Sequence, residues 1–355
     1  MSDDQTLTSL QASETTIASI PTIIPANQPA ASDIAPEKLQ QAYEVVCRMR
    51  DEVQKAVIGQ TKVIEQVLAC CLAGGHVLLE GVPGLGKTLM VKALAKTFSG
   101  AFARIQFTPD LMPSDVMGHA VYDMKNQTFN VRKGPVFTNL LLADEINRAP
   151  AKTQSSLLEV MQERQVTIEN ESHTLAAPFM VLATQNPLEN EGTYPLPEAQ
   201  LDRFLIKTLI EYPSAAEEAT MLKAVTHKRV GDSLEVNQVA TLIKPETILA
   251  LQSIVAQILV DEAVLDYAVR LVRATRDWPG IAVGAGPRGS IALIRVARAM
   301  ALMTRRDFVT PDDVKAACLP VLRHRIALSP ESELDGLSSD DLLQQLIAKI
   351  PAPRS

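Results

Sequence analysis

The sequence predicts an α/β fold in which a parallel five-stranded sheet is flanked by helices, followed by a smaller all-helical region. Three observations lead there. The apolar run Val77-Leu78-Leu79 passes through Gly81-Val82-Pro83-Gly84-Leu85-Gly86-Lys87-Thr88 into an amphipathic segment, the strand–loop–helix order that a phosphate-binding loop requires. Four more apolar runs of strand length follow, separated by helical stretches, which is the pattern of buried parallel strands with crossovers. Beyond about Glu217 the strand signals fade and apolar residues recur at helical spacing.

At 355 residues the chain exceeds a single compact core, and two domains of roughly 100–200 residues are expected. Aromatic residues make up 4%, with Trp278 the only tryptophan, so the core must be built from Leu, Val, Ile and Ala. A net charge of −7 argues against a surface made to grip nucleic acid, which needs clustered Lys and Arg. Cys47, Cys70, Cys71 and Cys318 show neither metal-ligand spacing nor a disulfide framework, and the expected compartment is the reducing cytoplasm. Asp3 and Asp4 replace the positive start of a secretory signal. No window approaches the roughly 20 apolar residues of a membrane span.

Taken in order, residues 1–36 are rich in Ser, Thr, Ala, Gln and Pro without apolar periodicity, which reads as a tail. A helix is expected from Glu37 to Val57, ending at Val57-Ile58-Gly59-Gln60; Ile58 and Gly59 are either plain core or the wall of an adenine ring. A second helix, Thr61 to Leu72, leads into a strand at His76–Glu80. In the loop that follows, Gly81, Gly84 and Gly86 leave room for backbone N–H groups to curl around a phosphate. Pro83 and Leu85 shape that loop, and the helix beginning Lys87-Thr88-Leu89 turns its positive end to the same anion. Lys87 would reach the β- and γ-phosphates of a nucleotide, and the Thr88 hydroxyl would hold Mg²⁺. The next strand is Phe102–Phe107. Residues 108–137, with Pro109, Pro113, Gly118 and Gly134 and short β-like runs at Ala120–Tyr122 and Thr128–Val131, read as an insertion.

Asn139-Leu140-Leu141-Leu142-Ala143 is a buried strand that ends in Asp144-Glu145. At a sheet's carboxyl edge Asp144 can orient Mg²⁺ and Glu145 can polarise an attacking water. A helix (Lys152–Glu163) and a hairpin across Val166–Leu175, with Asn170 and Ser172 in its turn, come next. The strand Phe179–Thr184 delivers Asn186, whose amide could hydrogen-bond a γ-phosphate or the lytic water. Pro197–Phe204 is a short helix leading to a last strand, Leu205–Ile210. Its Arg203 is either an arginine supplied to a neighbouring subunit's nucleotide or the partner of Asp202 or Glu198; Arg148 is a second arginine near the acids. Helices are expected at Pro245–Leu259, Glu262–Thr275, Ser290–Arg305, Pro311–Val321 and Asp340–Ile350. Arg288 stands near a helix start, a place that suits a cation only if it serves an anion. The arginines Arg270, Arg273, Arg276, Arg295 and Arg298 are expected on solvated faces.

Together these residues resemble an AAA+ ATPase of the MoxR family, from about Glu37 to Leu322. The resemblance is carried by Arg104-Ile-Gln-Phe-Thr-Pro-Asp-Leu-Met-Pro-Ser-Asp115, Leu142-Ala-Asp-Glu-Ile-Asn-Arg-Ala-Pro150, Leu182-Ala-Thr-Gln-Asn-Pro187 and Glu191-Gly-Thr-Tyr-Pro-Leu-Pro-Glu-Ala-Gln-Leu-Asp-Arg-Phe204. It implies Walker A at Gly81–Thr88, Walker B at Asp144 and Glu145, sensor 1 at Asn186, an arginine finger at Arg203 and sensor 2 at Arg288. It implies a nucleotide-binding domain over 37–213, with a helix-2 insert at about 113–131 and a pre-sensor hairpin at about 166–175. A lid over 214–330 and an extension over 331–355 complete the division. Gly286 and Gly289 stand where the family more often has Ser and Ala. The implied cofactors are ATP and Mg²⁺. The implied assembly is a hexameric ring whose pore carries the insert and the hairpin. The implied activity is that of a chaperone-like ATPase, remodelling or maturing partner proteins that often carry a von Willebrand factor A domain. The alternative function is a nucleic-acid motor or loader, for which Lys125, Arg132 and Lys133 speak and Asp123 and the acidic chain do not. A GTP switch lacks its Asn-Lys-x-Asp segment.

Overall fold

The computed structural model describes residues 34–81, 84–186, 193–226 and 236–353. Helix α1 (Pro36–Ala56) buries Val46, Met49 and Val53 on one face, and α2 (Thr61–Leu72) buries almost every apolar side chain it has. Each such Val, Leu or Met removed from water contributes about 1.5–3 kcal/mol. Strand β1 (Val77–Glu80) leads through the glycine loop to α3 (Lys87–Thr97) and β2 (Phe102–Gln106). The insertion is a short helix α4 (Pro113–Met117) and a two-stranded ribbon, β3 (Gly118–Asp123) with β4 (Thr128–Lys133). Strand β5 (Leu140–Asp144), α5 (Ala151–Glu163), the hairpin β6 (Gln165–Ile168) and β7 (Glu171–Thr174), and β8 (Met180–Gln185) follow. The hairpin turn is Glu169-Asn170, both with positive φ, and Ser172, expected in the turn, instead pairs with Thr167 inside the ladder. Then come α6 (Glu198–Leu201) and β9 (Ile206–Leu209).

The five long-range strands form one sheet in the order β2-β5-β8-β1-β9, every pair parallel. Alternation sorts its side chains. Val77, Leu79, Leu140, Leu142 and Leu182 enter a core shared with α1–α3 and the later helices, while Leu78, Leu141, Ala143, Val181 and Ala183 enter a second core on the other face. Because all strands run the same way, every strand exit lies at one edge of the sheet and every entry at the other, and ligands of such sheets bind at the exits.

After α7 (Ala215–Thr226), the chain continues in α8 (Pro245–Gln257), α9 (Glu262–Ala274), β10 (Ile281–Val283), α10 (Pro287–Met303), α11 (Pro311–Leu322), β11 (Ala327–Leu328), α12 (Pro330–Leu334) and α13 (Ser339–Lys349). Reciprocal capping boxes, Thr310 with Asp313 and Ser338 with Asp341, start α11 and α13. The helical region also holds one short antiparallel pair, β10 with β11, which its sequence pattern does not announce. Helix α10 begins at Pro287, three residues before the expected Ser290, so Arg288 lies in its first turn. Arg295, expected on a solvated face, donates to the carbonyls of Ala73 and Gly74 at the end of α2. Among the described residues no helix is long and apolar enough to cross a membrane. The expected tail lies almost wholly in residues 1–33, outside the described residues.

Candidate active site

At the exit of β1, Gly84 and Gly86 hold φ of +86° and +76°, and nothing lies within 4 Å of where a Cβ would stand on either. That conformation favours glycine, and the open space is the room an anion needs. Gly86 is the N-cap of α3, so the amides of Lys87, Thr88 and Leu89 have no acceptor within the helix. Lys87 Nζ donates to Gly81 O at 2.7 Å, a carbonyl holding the ammonium beside the loop where a phosphate oxygen would compete for it. Burial lowers the lysine's pKa, and the carboxylates of Asp144, Glu145 and Glu80 pull it back up. The acids therefore share one field with the loop. Pro83, expected in that loop, lies outside the described residues.

Two strands away, β5 ends on Asp144. Its Oδ1 accepts the Thr184 hydroxyl at 2.6 Å, and its Oδ2 accepts Arg104 Nη2 at 2.6 Å. Glu145 follows in the left-handed region, with φ 54° and ψ 52°. Its N–H donates to Thr184 Oγ1 at 2.8 Å, and its Oε2 accepts Gln106 Nε2 at 2.6 Å and Arg148 Nη1 at 3.0 Å. Asn186, buried, leaves β8 directly beside β5. The Thr88 hydroxyl and the Asp144 carboxylate are hard oxygen donors of the kind that hold Mg²⁺ together with phosphate oxygens and water. A guanidinium already on Asp144 marks the spot as one that takes positive charge.

The turn at Ile58-Gly59 docks on the same edge: Gln60 Nε2 donates to Glu211 O at 2.9 Å, one residue past Ile210, whose N–H bonds Glu80 O. Beside it is a cavity of about 530 Å³ lined by Gly59, Gln60, Tyr212, Glu217, Leu319 and Arg323 among others. Its lining includes Gly59 but not Ile58.

Arg203 and Arg288 lie elsewhere. Leu205 N bonds His76 O at 2.9 Å and Ile206 is in register with Val77, so Arg203 stands at the entry of β9, the opposite edge from the glycine loop. Arg288 Nη1 sits 3.4 Å from Asp202 Oδ2 at that same edge. Arg288, implied to be sensor 2, thus stands at the strand entries and not beside the glycine loop of its own chain, because α10 starts there. Asp202 pairs with Arg325 and Arg288 and not with Arg203, which removes one bland reading of Arg203. Among the described residues Arg203 makes no ion pair or side-chain hydrogen bond, although it is half-buried. Arg164, Arg203, Arg288, Arg295 and Arg325 line one cavity of about 320 Å³ with Asp202 as the single acid.

Sequence reading passed over Arg104, Gln106 and Thr184. The signal was present: Arg104 and Gln106 are two apart on β2 and so share a face, and Thr184 shares one with Asn186 just beyond.

Residues 76–206 match the ATPase family associated with various cellular activities, and residues 273–346 match the AAA lid domain. Over 86% of its length the chain is 45% identical to the uncharacterized protein YeaC of Bacillus subtilis, covering 94% of that protein. It is 44% identical to chaperone MoxR1 of Mycobacterium tuberculosis over 85% of the chain and 81% of the relative. It is 32% identical to protein MoxR of Methylorubrum extorquens, covering 96% of that protein. A solved structure from Cytophaga hutchinsonii, provisionally assigned as an ATPase, superposes with a TM-score of 0.83 at 42% identity, over 90% of this chain and 98% of that one.

Proposed function

The chain belongs to the MoxR family of AAA+ ATPases, and on that premise we propose that it hydrolyses Mg²⁺–ATP at the junctions of a head-to-tail ring, a hexamer, and spends the cycle remodelling a protein client. One observation carries this reading. The residues suited to bind and cleave a triphosphate stand at the exits of the sheet, and the arginines suited to assist stand at its entries. Four residues of β1 at about 3.3 Å each put roughly 13 Å between the two edges. One protomer cannot bring Arg203 to its own Lys87; a second copy presenting its entry edge can. Such a contact joins two different surfaces, and repeated with the right rotation it closes a ring.

In this reading Lys87 and the loop amides bind the phosphates, Thr88 and Asp144 hold Mg²⁺, and Glu145 polarises the water. Asn186 orients that water or the γ-phosphate. Arg203 and Arg288 of the adjoining copy neutralise charge as the bond to the leaving group breaks. Arg203 suits the trans role better than Arg148, because Arg148 is engaged with the Glu145 of its own chain. The cavity beside Gly59 is the proposed adenine site. We take residues 37–213 as the nucleotide-binding domain. The helical lid is taken to begin at 214 and to include α13, since the lid match runs to 346 and α13 packs on α9 and α11.

Mixing tests the trans arrangement. Lys87→Ala offers arginines but no nucleotide; Arg203→Ala binds nucleotide but offers no arginine. Each alone should be nearly inactive, and a mixture should regain activity at the mixed junctions. A mixture as dead as its parts would sink the ring reading. For the client we propose a protein with a von Willebrand factor A domain, gripped in part by the exposed Tyr122, Met124 and Phe129 of the β3–β4 ribbon. Crosslinking with Glu145→Gln held in ATP should capture such a protein, and Lys87→Ala should not. Recovery of nucleic acid alone would move the motor reading forward.

A further inference from the structure

Arg325 follows the end of α11 in the helical region, and its side chain is only 4% exposed. Nη1 donates to Val321 O of its own α11, and all three nitrogens also reach one short segment far away in sequence. Nε donates to Asp202 Oδ1 at 2.8 Å, Nη2 to Phe204 O at 2.7 Å and Asp202 O at 3.4 Å, and Nη1 to Leu205 O at 3.1 Å. Its neighbours reinforce the contact. His324 Nε2 lies 3.0 Å from Phe204 O, and Arg323 Nη1 donates to Lys207 O at 3.1 Å. Three consecutive residues of the helical region thus cap carbonyls from Asp202 to Lys207, on the segment entering β9 and on β9 itself, an edge strand of the described sheet. The clamped segment, Asp202 to Leu205, contains Arg203, whose own side chain has no partner among the described residues. A planar guanidinium whose donors are spent on fixed acceptors loses little freedom per bond and holds the backbone in one place.

We propose that Arg325 is a positioning residue for Arg203: it fastens the arginine-bearing loop to the helical region, so that a shift of the helices carries Arg203 toward or away from the neighbouring protomer's nucleotide. Asp202 is the second half of the device, since its carboxylate receives Arg325 and, at the longer 3.4 Å, the exposed Arg288. A shift of the helices would therefore move both trans arginines together. This proposal rests on the reading of Arg203 as a trans arginine.

The test is a double-mutant cycle on the full-length protein, with kcat, the KM for ATP and the melting temperature read for each variant. Arg325→Met should lower kcat by about 10²-fold, the effect of misplacing a reacting group by about 1 Å, with KM changed less than about twofold. In an Arg203→Ala background the same substitution should lower kcat no further. Arg325→Lys, which keeps the charge and loses the fork, covers the case in which the methionine variant does not fold; it should lose most of the same kcat. If Arg203→Ala by itself leaves kcat unchanged, the trans reading fails. If Arg203→Ala is costly and Arg325 substitutions lower kcat as much in its background as in the wild type, the trans reading stands and the positioning role is overturned.

Discussion

Thr184 ties the two acids of the site together: its hydroxyl donates to Asp144 Oδ1 at 2.6 Å and its oxygen accepts the N–H of Glu145 at 2.8 Å. One side chain on β8 thereby orients the proposed metal-binding carboxylate and anchors the backbone of the proposed base, which sits at φ 54°. A non-glycine residue in that region costs about 1–2 kcal/mol, and the bond from Thr184 helps to offset it. Thr184→Val keeps the shape and removes both bonds. Supports of this kind beneath a metal ligand are worth about 10–100-fold in affinity or activity. The variant should therefore need about ten times more Mg²⁺ for half-maximal ATPase, or lose kcat by a similar factor. A Mg²⁺ titration indistinguishable from wild type would show that Asp144 is placed by its strand alone.

Gln106 holds the other acid. Its amide reaches Glu145 Oε2 at 2.6 Å, on the same oxygen that Arg148 approaches to 3.0 Å. With Oε2 accepting two donors, the Glu145 carboxylate has Oε1 left for a water molecule, and in the proposed mechanism the two bonds restrain how it can turn toward that water. Gln106→Ala should raise the client-free ATPase rate severalfold without changing the KM for ATP. A fall in rate would mean that Gln106 aims Glu145 instead of restraining it.

The strands, their parallel direction and the loop at the exit of β1 were legible because each rests on local chemistry: apolar runs, glycines, and acids closing a buried strand. Asp144, Glu145 and Asn186 could be grouped because parallel strands deliver their exits to one edge. Arg288 could not be placed. Its position depends on how α10 packs against the strand entries, a contact between residues about ninety apart that no periodicity encodes. Arg325 was missed for the same reason: in sequence it is one cation in Arg323-His324-Arg325, and only the fold puts Asp202 against it. Thr184 and Gln106 were missed differently. Both lie in strands read for their hydrophobicity, where a polar residue facing a neighbouring strand's acid looks like ordinary alternation.

Arg104 places its guanidinium 2.6 Å from Asp144 Oδ2, on an oxygen that a divalent ion would also seek. The arginine is 46% exposed, and exposed pairs of this kind are worth about 0.2–1 kcal/mol. Arg104→Met should therefore lower the Mg²⁺ concentration for half-maximal ATPase by up to about fivefold, with kcat at saturating Mg²⁺ close to wild type. A higher Mg²⁺ requirement would assign Arg104 to holding Asp144 in place.

His76 is buried at the entry of β1, with Nδ1 accepting the Val181 N–H at 2.9 Å and Nε2 within 3.1 Å of Met161 O. Both ring nitrogens are used by the neutral form. Burial, assisted by Arg164 and Arg295, pushes its pKa down to about 4 from an ordinary 6.5. Burial also lowers that of His324, beside Arg325. Between pH 6.5 and 4 the unfolded chain therefore binds protons that the folded chain refuses, so stability is complete above 6.5 and falls as the pH drops through that window. For His76 the loss at pH 5 is about 2 kcal/mol, at 1.36 kcal/mol per unit. Urea unfolding at pH 7 and pH 5 reads this out. In His76→Gln, whose amide can serve both backbone partners without titrating, the drop between the two pH values should shrink by about that amount. An equal drop in the variant would mean that the acid sensitivity lies in other groups, with His324 the first to examine.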